Sequence, residues 1–220
     1  IMKKEVKNET KSEVFQKAFW LYMIGNILGF LMEGFWCKLK YGRWESHVVS
    51  MIGPFCLLYG FGATIFYLCS RKLKNQNIFT QFLFSCLVGD VVEYICGYFL
   101  EHAFGMRAWY YGRYFLNING YICLFMTVAW GIVGILFIYF VMPFWDNFYE
   151  KIKGKVLTKI CYTLALIMFV DFMFTMVCIT RWANRHKGYE AHNKVINIID
   201  KKYDDDFMAK RFNEWRFIKK

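Results

Sequence analysis

Five apolar stretches, each about the length a helix needs to cross a bilayer, follow one another along the chain. They run over residues 15–36, 48–69, 78–100, 121–142 and 156–179, the fourth ending at Pro143. The pattern predicts an all-α, polytopic helical membrane protein with about five transmembrane helices. It divides the chain into a polar N-terminal segment (1–14), a transmembrane helical domain (15–180) and a basic tail (181–220). Trp20, Trp36, Trp44, Trp109, Trp145 and Trp182 fall near run ends, where interfacial aromatics belong. In the tail, Met208, Phe212, Trp215 and Ile218 recur at helical spacing among Arg211, Arg216, Lys219 and Lys220. That spacing predicts an amphipathic C-terminal helix, lying on the bilayer surface or docked on a partner or a neighbouring subunit.

Composition supports the membrane reading. The 220 residues are 57% hydrophobic and 21% aromatic, with only two prolines, which is more apolar than a soluble domain of this length. The formal charge of +11 would suggest nucleic acid in a soluble protein. Here the basic residues cluster between the runs and in the tail, where anionic headgroups lie, so no nucleic acid is expected and the bilayer is the partner. Lys3, Lys4, Lys7, Lys11 and Lys17, with the short basic links at 71–74 and 151–155, favour a cytoplasmic N-terminus. An odd number of spans then places the basic tail on the other side. The expected location is the plasma membrane of a bacterium.

Two segments interrupt the regular pattern. Gly53-Pro54 sits at the start of the second run, where proline removes a backbone donor; broken helix ends of this kind recur at transporter sites, and equally at simple kinks. The link 101–120 carries Trp109, Tyr110, Tyr111 and Tyr114, which suits a re-entrant or capping element. Its end, Asn117-Ile118-Asn119-Gly120, reads as a helix cap and tight turn whose amides could also line a site entrance.

Candidate chemistry lies in the acids within apolar runs. Asp90, Glu93, Gly97 and Glu101 share one face of the third run, and Tyr22, Asn26, Gly29 and Glu33 one face of the first. Asp171 stands alone in the fifth. A charged acid at mid-bilayer costs roughly 2.5–3.5 kcal/mol, so Asp90 and Glu93 together would cost about 5–7 kcal/mol facing lipid. These faces must turn inward, and the acids must be paired, protonated or bound to a cation. Arg43, Arg107 and Arg113 are the nearest partners along the chain. The expected site is a polar cavity between the first and third helices, made by Glu33, Glu93, Glu101, Asp90, Asn26, Asn119, Trp109 and Arg43. The alternative is a salt-bridge and hydrogen-bond cluster that only fixes packing.

Other chemistries find no motif. The eight cysteines form no CxxC pair and read as small packing residues. His47, His102, His186 and His192 lack metal-ligand spacing, so no metal and no cofactor are expected. Gly154-Lys155 is followed by Val156 with no upstream P-loop glycine, and neither GxSxG nor HExxH occurs, which argues against an enzyme.

An ordered set of short motifs carries a resemblance: Gly29 to Glu33, Glu45-Ser46, Gly53-Pro54 with Tyr59-Gly60-Phe61-Gly62, Glu93-Tyr94, Leu100-Glu101 with Phe104-Gly105, Trp109, Asn117 to Gly120, and Trp130-Gly131. Over residues 20–143 the chain resembles the ABC-transporter type IV membrane proteins, a permease-like family. It departs at four places. His47 stands where the family usually has arginine, Leu57 where it has a second proline, Tyr110 where it has aspartate, and Tyr121 where it has arginine. The resemblance implies a permease-like transport subunit working with a separate ATP-binding subunit. Two other readings stay open: a membrane-embedded enzyme acting on a lipid-linked substrate, and an assembly or effector protein that works as a homo-oligomer.

Overall fold

The computed structural model describes residues 9–44 and 47–218. Lys3, Lys4, Lys7, the Glu45-Ser46 pair, Lys219 and Lys220 lie outside the described residues. The chain is all-α, with seven helices among the described residues: α1 (Lys11–Tyr41), α2 (Leu57–Leu73), α3 (Ile78–Phe104), α4 (Leu124–Ile152), α5 (Lys155–His186), α6 (Lys194–Lys202) and α7 (Asp205–Arg211). Two short strands, β1 (Met106–Arg107) and β2 (Arg216–Phe217), pair antiparallel. Among the described residues four helices (α1, α3, α4 and α5) are long and apolar enough to cross a membrane, against the five expected. With 17 residues, α2 is about 26 Å long, short of a full hydrocarbon core.

Local chemistry sets the helix ends. Thr10 and Glu13 form a reciprocal capping box at the start of α1, which Gly42 closes in the left-handed conformation. Asn77 caps α3 and Gly105 ends it. Proline does not stop α4. A wide turn at Phe137–Val141 precedes Pro143, and the Met142 amide reaches back to the Phe137 carbonyl. That five-residue step absorbs the missing donor, and the helix continues to Ile152.

The second run begins nine residues later than expected. Residues 48–56 are not helical: Gly53 has φ 74° and Pro54 follows. Irregular backbone survives in such a place only where protein satisfies it. Asp171, on α5, accepts from the Ser50 hydroxyl at 2.5 Å and the Ile52 amide at 3.1 Å. Thr175 accepts the Met51 amide at 2.9 Å. From the tail, Arg211 donates to the Ser50 carbonyl at 2.8 Å and the Gly53 carbonyl at 2.5 Å.

Packing divides the bundle into two close pairs, α1 on α2 and α3 on α4, with α5 lying along α1 and α3. Glycines allow the close approach. A Cβ on Gly25 would stand 2.8 Å from the Tyr59 carbonyl oxygen, so any side chain there forces α1 and α2 apart.

The start of α1 meets the end of α4 and the start of α5. Lys17 is 1% exposed and lies 2.5 Å from Glu9 and 2.8 Å from Asp146; Arg71 also bonds Glu9. Lys17 therefore carries no free charge to the headgroups, contrary to its expected role in orienting the chain. At the opposite end the tail packs on this chain itself. Met208 and Phe212 are fully buried against Leu100, Phe104, Ile179 and Trp182, and α7 stops at Arg211. The apolar positions expected to rest on a bilayer or a partner thus close one end of the bundle. Trp145 and Trp182 are likewise 4% exposed and belong to the core rather than the interface.

Candidate functional site

The acidic face of α3 meets a matching polar stripe on α4. Asp90 accepts from the Thr127 hydroxyl at 2.9 and 2.8 Å. Glu93, 5% exposed, accepts from the Trp130 indole at 3.0 Å and the Tyr111 hydroxyl at 2.9 Å. Both donors are neutral. Tyr111 belongs to the aromatic link, whose backbone folds back through a bond from the Tyr111 amide to the Gly120 carbonyl. Burial, then the Glu93 carboxylate, with a smaller contribution from Glu33, holds the Tyr111 phenol well above its ordinary pKa. Tyr111 therefore stays a donor within the field of both carboxylates.

Glu33 turns toward α2 rather than α3. It accepts from the Tyr59 hydroxyl, and its other oxygen lies 3.8 Å from His47 Nδ1. The expected cavity between α1 and α3 is thus split. Glu33 belongs to the α1–α2 pair and Glu93 to the α3–α4 pair, because each acid points into its own close-packed seam. Asn26 is fully buried, donating to the Tyr22 carbonyl at 2.9 Å, and its side-chain oxygen has no hydrogen-bond partner among the described residues. It fills the space over Gly60.

Two cavities open toward the tail end. One, of about 410 Å³, is lined by Glu33, Cys37, Arg43, His47, Asn213 and Glu214 among others. The second, of about 570 Å³, gathers Glu101, Arg107, Tyr110, Asn119 and Tyr121. There Arg107 makes a two-pronged bond to Glu101, at 2.7 and 2.9 Å, and stacks over Tyr110 with its guanidinium 4.4 Å from the ring centre. The Glu101 carboxylate raises the Arg107 pKa further. Tyr121, at the position of a family arginine, is pushed up to about 12 by burial and by its bond to Glu101. Asn119 (φ 53°) donates to Tyr94 at 2.9 Å, and the Trp109 indole to the Tyr121 carbonyl at 2.9 Å. The Asn117–Gly120 segment is a turn bridging Ile118 to Ile122. It does not cap α4, which starts after Cys123.

Glu33 and Arg43 thus line the first cavity, Glu93 sits in the α3–α4 seam, and Glu101 and Asn119, with Trp109 bonded beside them, belong to the second cavity; among the described residues Asp90 is held by Thr127. Arg113 is exposed. Tyr59, Tyr111, Thr127, Trp130 and His47 were not among the expected site residues. Trp130 and Thr127 carried a signal, since a donor side chain inside an apolar run needs an acceptor as much as an acid needs a donor. Among the described residues no three His, Cys, Asp or Glu side chains could hold a metal ion.

No curated protein and no solved structure matches the chain. The family model described as "Putative ABC-transporter type IV" matches residues 20–176, which takes in most of α1, all of α2 to α4 and most of α5, and so extends past residue 143, where the resemblance ended. The chain therefore belongs to the ABC-transporter type IV family of membrane proteins.

Proposed function

We propose that the chain is a permease-like membrane subunit of a transporter, working with a separate ATP-binding subunit in a bacterial plasma membrane. Its polar centre is Glu33 and Glu93, with Tyr59 and Tyr111 presented to them. One observation carries this reading: each acid is served by neutral donors in its own seam, Glu33 by Tyr59, and Glu93 by Trp130 and by Tyr111 of the aromatic link. A carboxylate bonded only to neutral groups keeps its attraction for a cation or a donor-rich substrate. Packing is close within α1–α2 and α3–α4 and sparse between them. Rocking one pair against the other would open and close the space around the acids, as alternating access requires.

The test is purification from the native host in mild detergent, with mass spectrometry of what accompanies the chain, followed by ATP-driven flux in vesicles. A stoichiometric ATP-binding protein, and flux lost in Glu93→Gln, support the proposal. A chain that purifies alone, or a Glu93→Gln variant with full flux and only a lowered melting temperature, refutes it and leaves the acids a packing role.

A further inference from the structure

The first cavity, which Glu33 also lines, contains a second arrangement. Cys37 Sγ, on α1, lies 3.1 Å from His47 Nε2 in a hydrogen bond. On the other side of the ring, Nδ1 is 2.6 Å from Glu214 Oε1 of the tail. That contact is an ion-pair distance rather than an aligned hydrogen bond. The end of α1, the loop that follows it and the distant tail thus place a thiol, an imidazole and a carboxylate together at the wall of a cavity of about 410 Å³. A nucleophile within reach of a base, and a base oriented by an acid, is the geometry of covalent acyl transfer. His47 is also the residue that stands where the family usually has arginine. An arginine cannot accept the thiol proton; a histidine can.

The surroundings indicate the substrate class. Arg43 and Arg216 line the same cavity and suit an anionic headgroup. On the outer side of α1, Trp36 is 60% and Leu39 80% exposed, so the cavity adjoins a lipid-facing surface. We infer that Cys37 is an acyl-accepting nucleophile, with His47 as its base, and that its donors are esters of anionic phospholipids. In the first step the Cys37 proton passes to His47 Nε2 and the sulfur attacks the ester carbonyl carbon. The C–O bond breaks, and the leaving alcohol takes the proton from Nε2. Water then attacks the thioester, gives one proton to Nε2 and releases the fatty acid; the proton returns to sulfur. No redox partner, metal or nucleotide is required. Glu214 is a positioning residue, acting through His47, which also faces Glu33.

The experiment uses the full chain in phosphatidylglycerol nanodiscs without ATP, and in detergent with p-nitrophenyl butyrate. Intact-mass and peptide mass spectrometry read the adduct. The expected result is the lipid's acyl mass on Cys37 and nitrophenol release, both absent in Cys37→Ala, with His47→Ala slowing acylation by about 10²–10⁴-fold. Glu214→Gln is expected to lower the acylation rate constant without changing the half-saturating ester concentration, at unchanged melting temperature, and Glu214→Asp to restore part of the rate. Cys96→Ser serves as the neutral control. If Cys37→Ala does not fold, the rate of iodoacetamide alkylation of Cys37 decides, compared between the unaltered chain and His47→Ala. Slower alkylation in His47→Ala supports the pairing; an equal rate overturns it. Absence of any Cys37 adduct, or acylation indifferent to His47→Ala, overturns the nucleophile. Reaction with the butyrate ester but not phosphatidylglycerol overturns the lipid assignment.

Discussion

Asp171→Ala tests the idea that side chains from α5 hold the entry to α2. The carboxylate accepts the Ile52 amide and the Ser50 hydroxyl, at 3.1 and 2.5 Å, and is 3% exposed. Hydrogen bonds to a charged acceptor are worth about 1.5–3 kcal/mol each. Ser50 also lies 2.6 Å from the Ile52 carbonyl, so its hydroxyl keeps one partner after the substitution. The expected loss is therefore about 2–4 kcal/mol rather than the full sum. For a chain of this size that lowers the melting temperature by about 4–16 °C. Hydrogen exchange at residues 47–56 should rise by roughly 30- to 1000-fold, since 1.4 kcal/mol is about tenfold. Asp171→Asn, which keeps one acceptor, should lose less. Combining Asp171→Ala with Arg211→Ala should cost less than the two separately, because both release the same segment. Unchanged exchange at 47–56 in Asp171→Ala, in a protein that still folds, would mean that backbone and core packing hold the segment and that the clamp is incidental.

The tail should loosen in acid. Arg181, at 2.7 Å, and then Arg185 hold the Asp200 carboxyl below its ordinary value; a depressed carboxylate stabilises the docked state above its unfolded pKa, and that stabilisation fades as pH falls through the folded one. Exchange over 194–217 should therefore rise toward low pH, and Asp200→Asn should lose that pH dependence while being looser at neutral pH. Gly25→Ala should cost about 1–3 kcal/mol by overpacking, because the Tyr59 carbonyl it meets is backbone; a melting temperature equal to that of the unaltered chain counts against the close α1–α2 seam.

Much of the architecture was legible because hydrophobic length is a strong signal. The expected runs at 15–36, 78–100 and 156–179 fall within α1, α3 and α5, and that at 121–142 overlaps α4 almost throughout. The errors share a cause: hydropathy says nothing about who completes a backbone hydrogen bond. Residues 48–56 are apolar enough for a helix, yet their partners are Asp171, Thr175 and Arg211, more than a hundred residues away. Pro143 read as a stop because the wide turn that accommodates it has no sequence mark. For the site, inward-facing acids on α1 and α3 could be inferred from the cost of charge in lipid, but their partners could not. Nothing in the spacing of Glu33 and Glu93 says that α1 pairs with α2 and α3 with α4. The tail's period of apolar residues was real, but a period does not name the surface it covers.

The pairing of β1 with β2 bears on how the molecule is made. Arg107 lies opposite Arg216 across the two strands, and the Ile218 amide reaches the Gly105 carbonyl at 3.0 Å. The end of α3 is synthesised about a hundred residues before the strand that completes it. During insertion, therefore, all the long apolar helices enter the bilayer while this end stands open, with Leu100, Phe104 and Trp182 uncovered and Glu214 not yet opposite His47. Only when the last of these elements has left the ribosome and reached that side of the membrane does the end close. A chain interrupted before β2 would insert its long apolar helices but keep the apolar face of this end exposed.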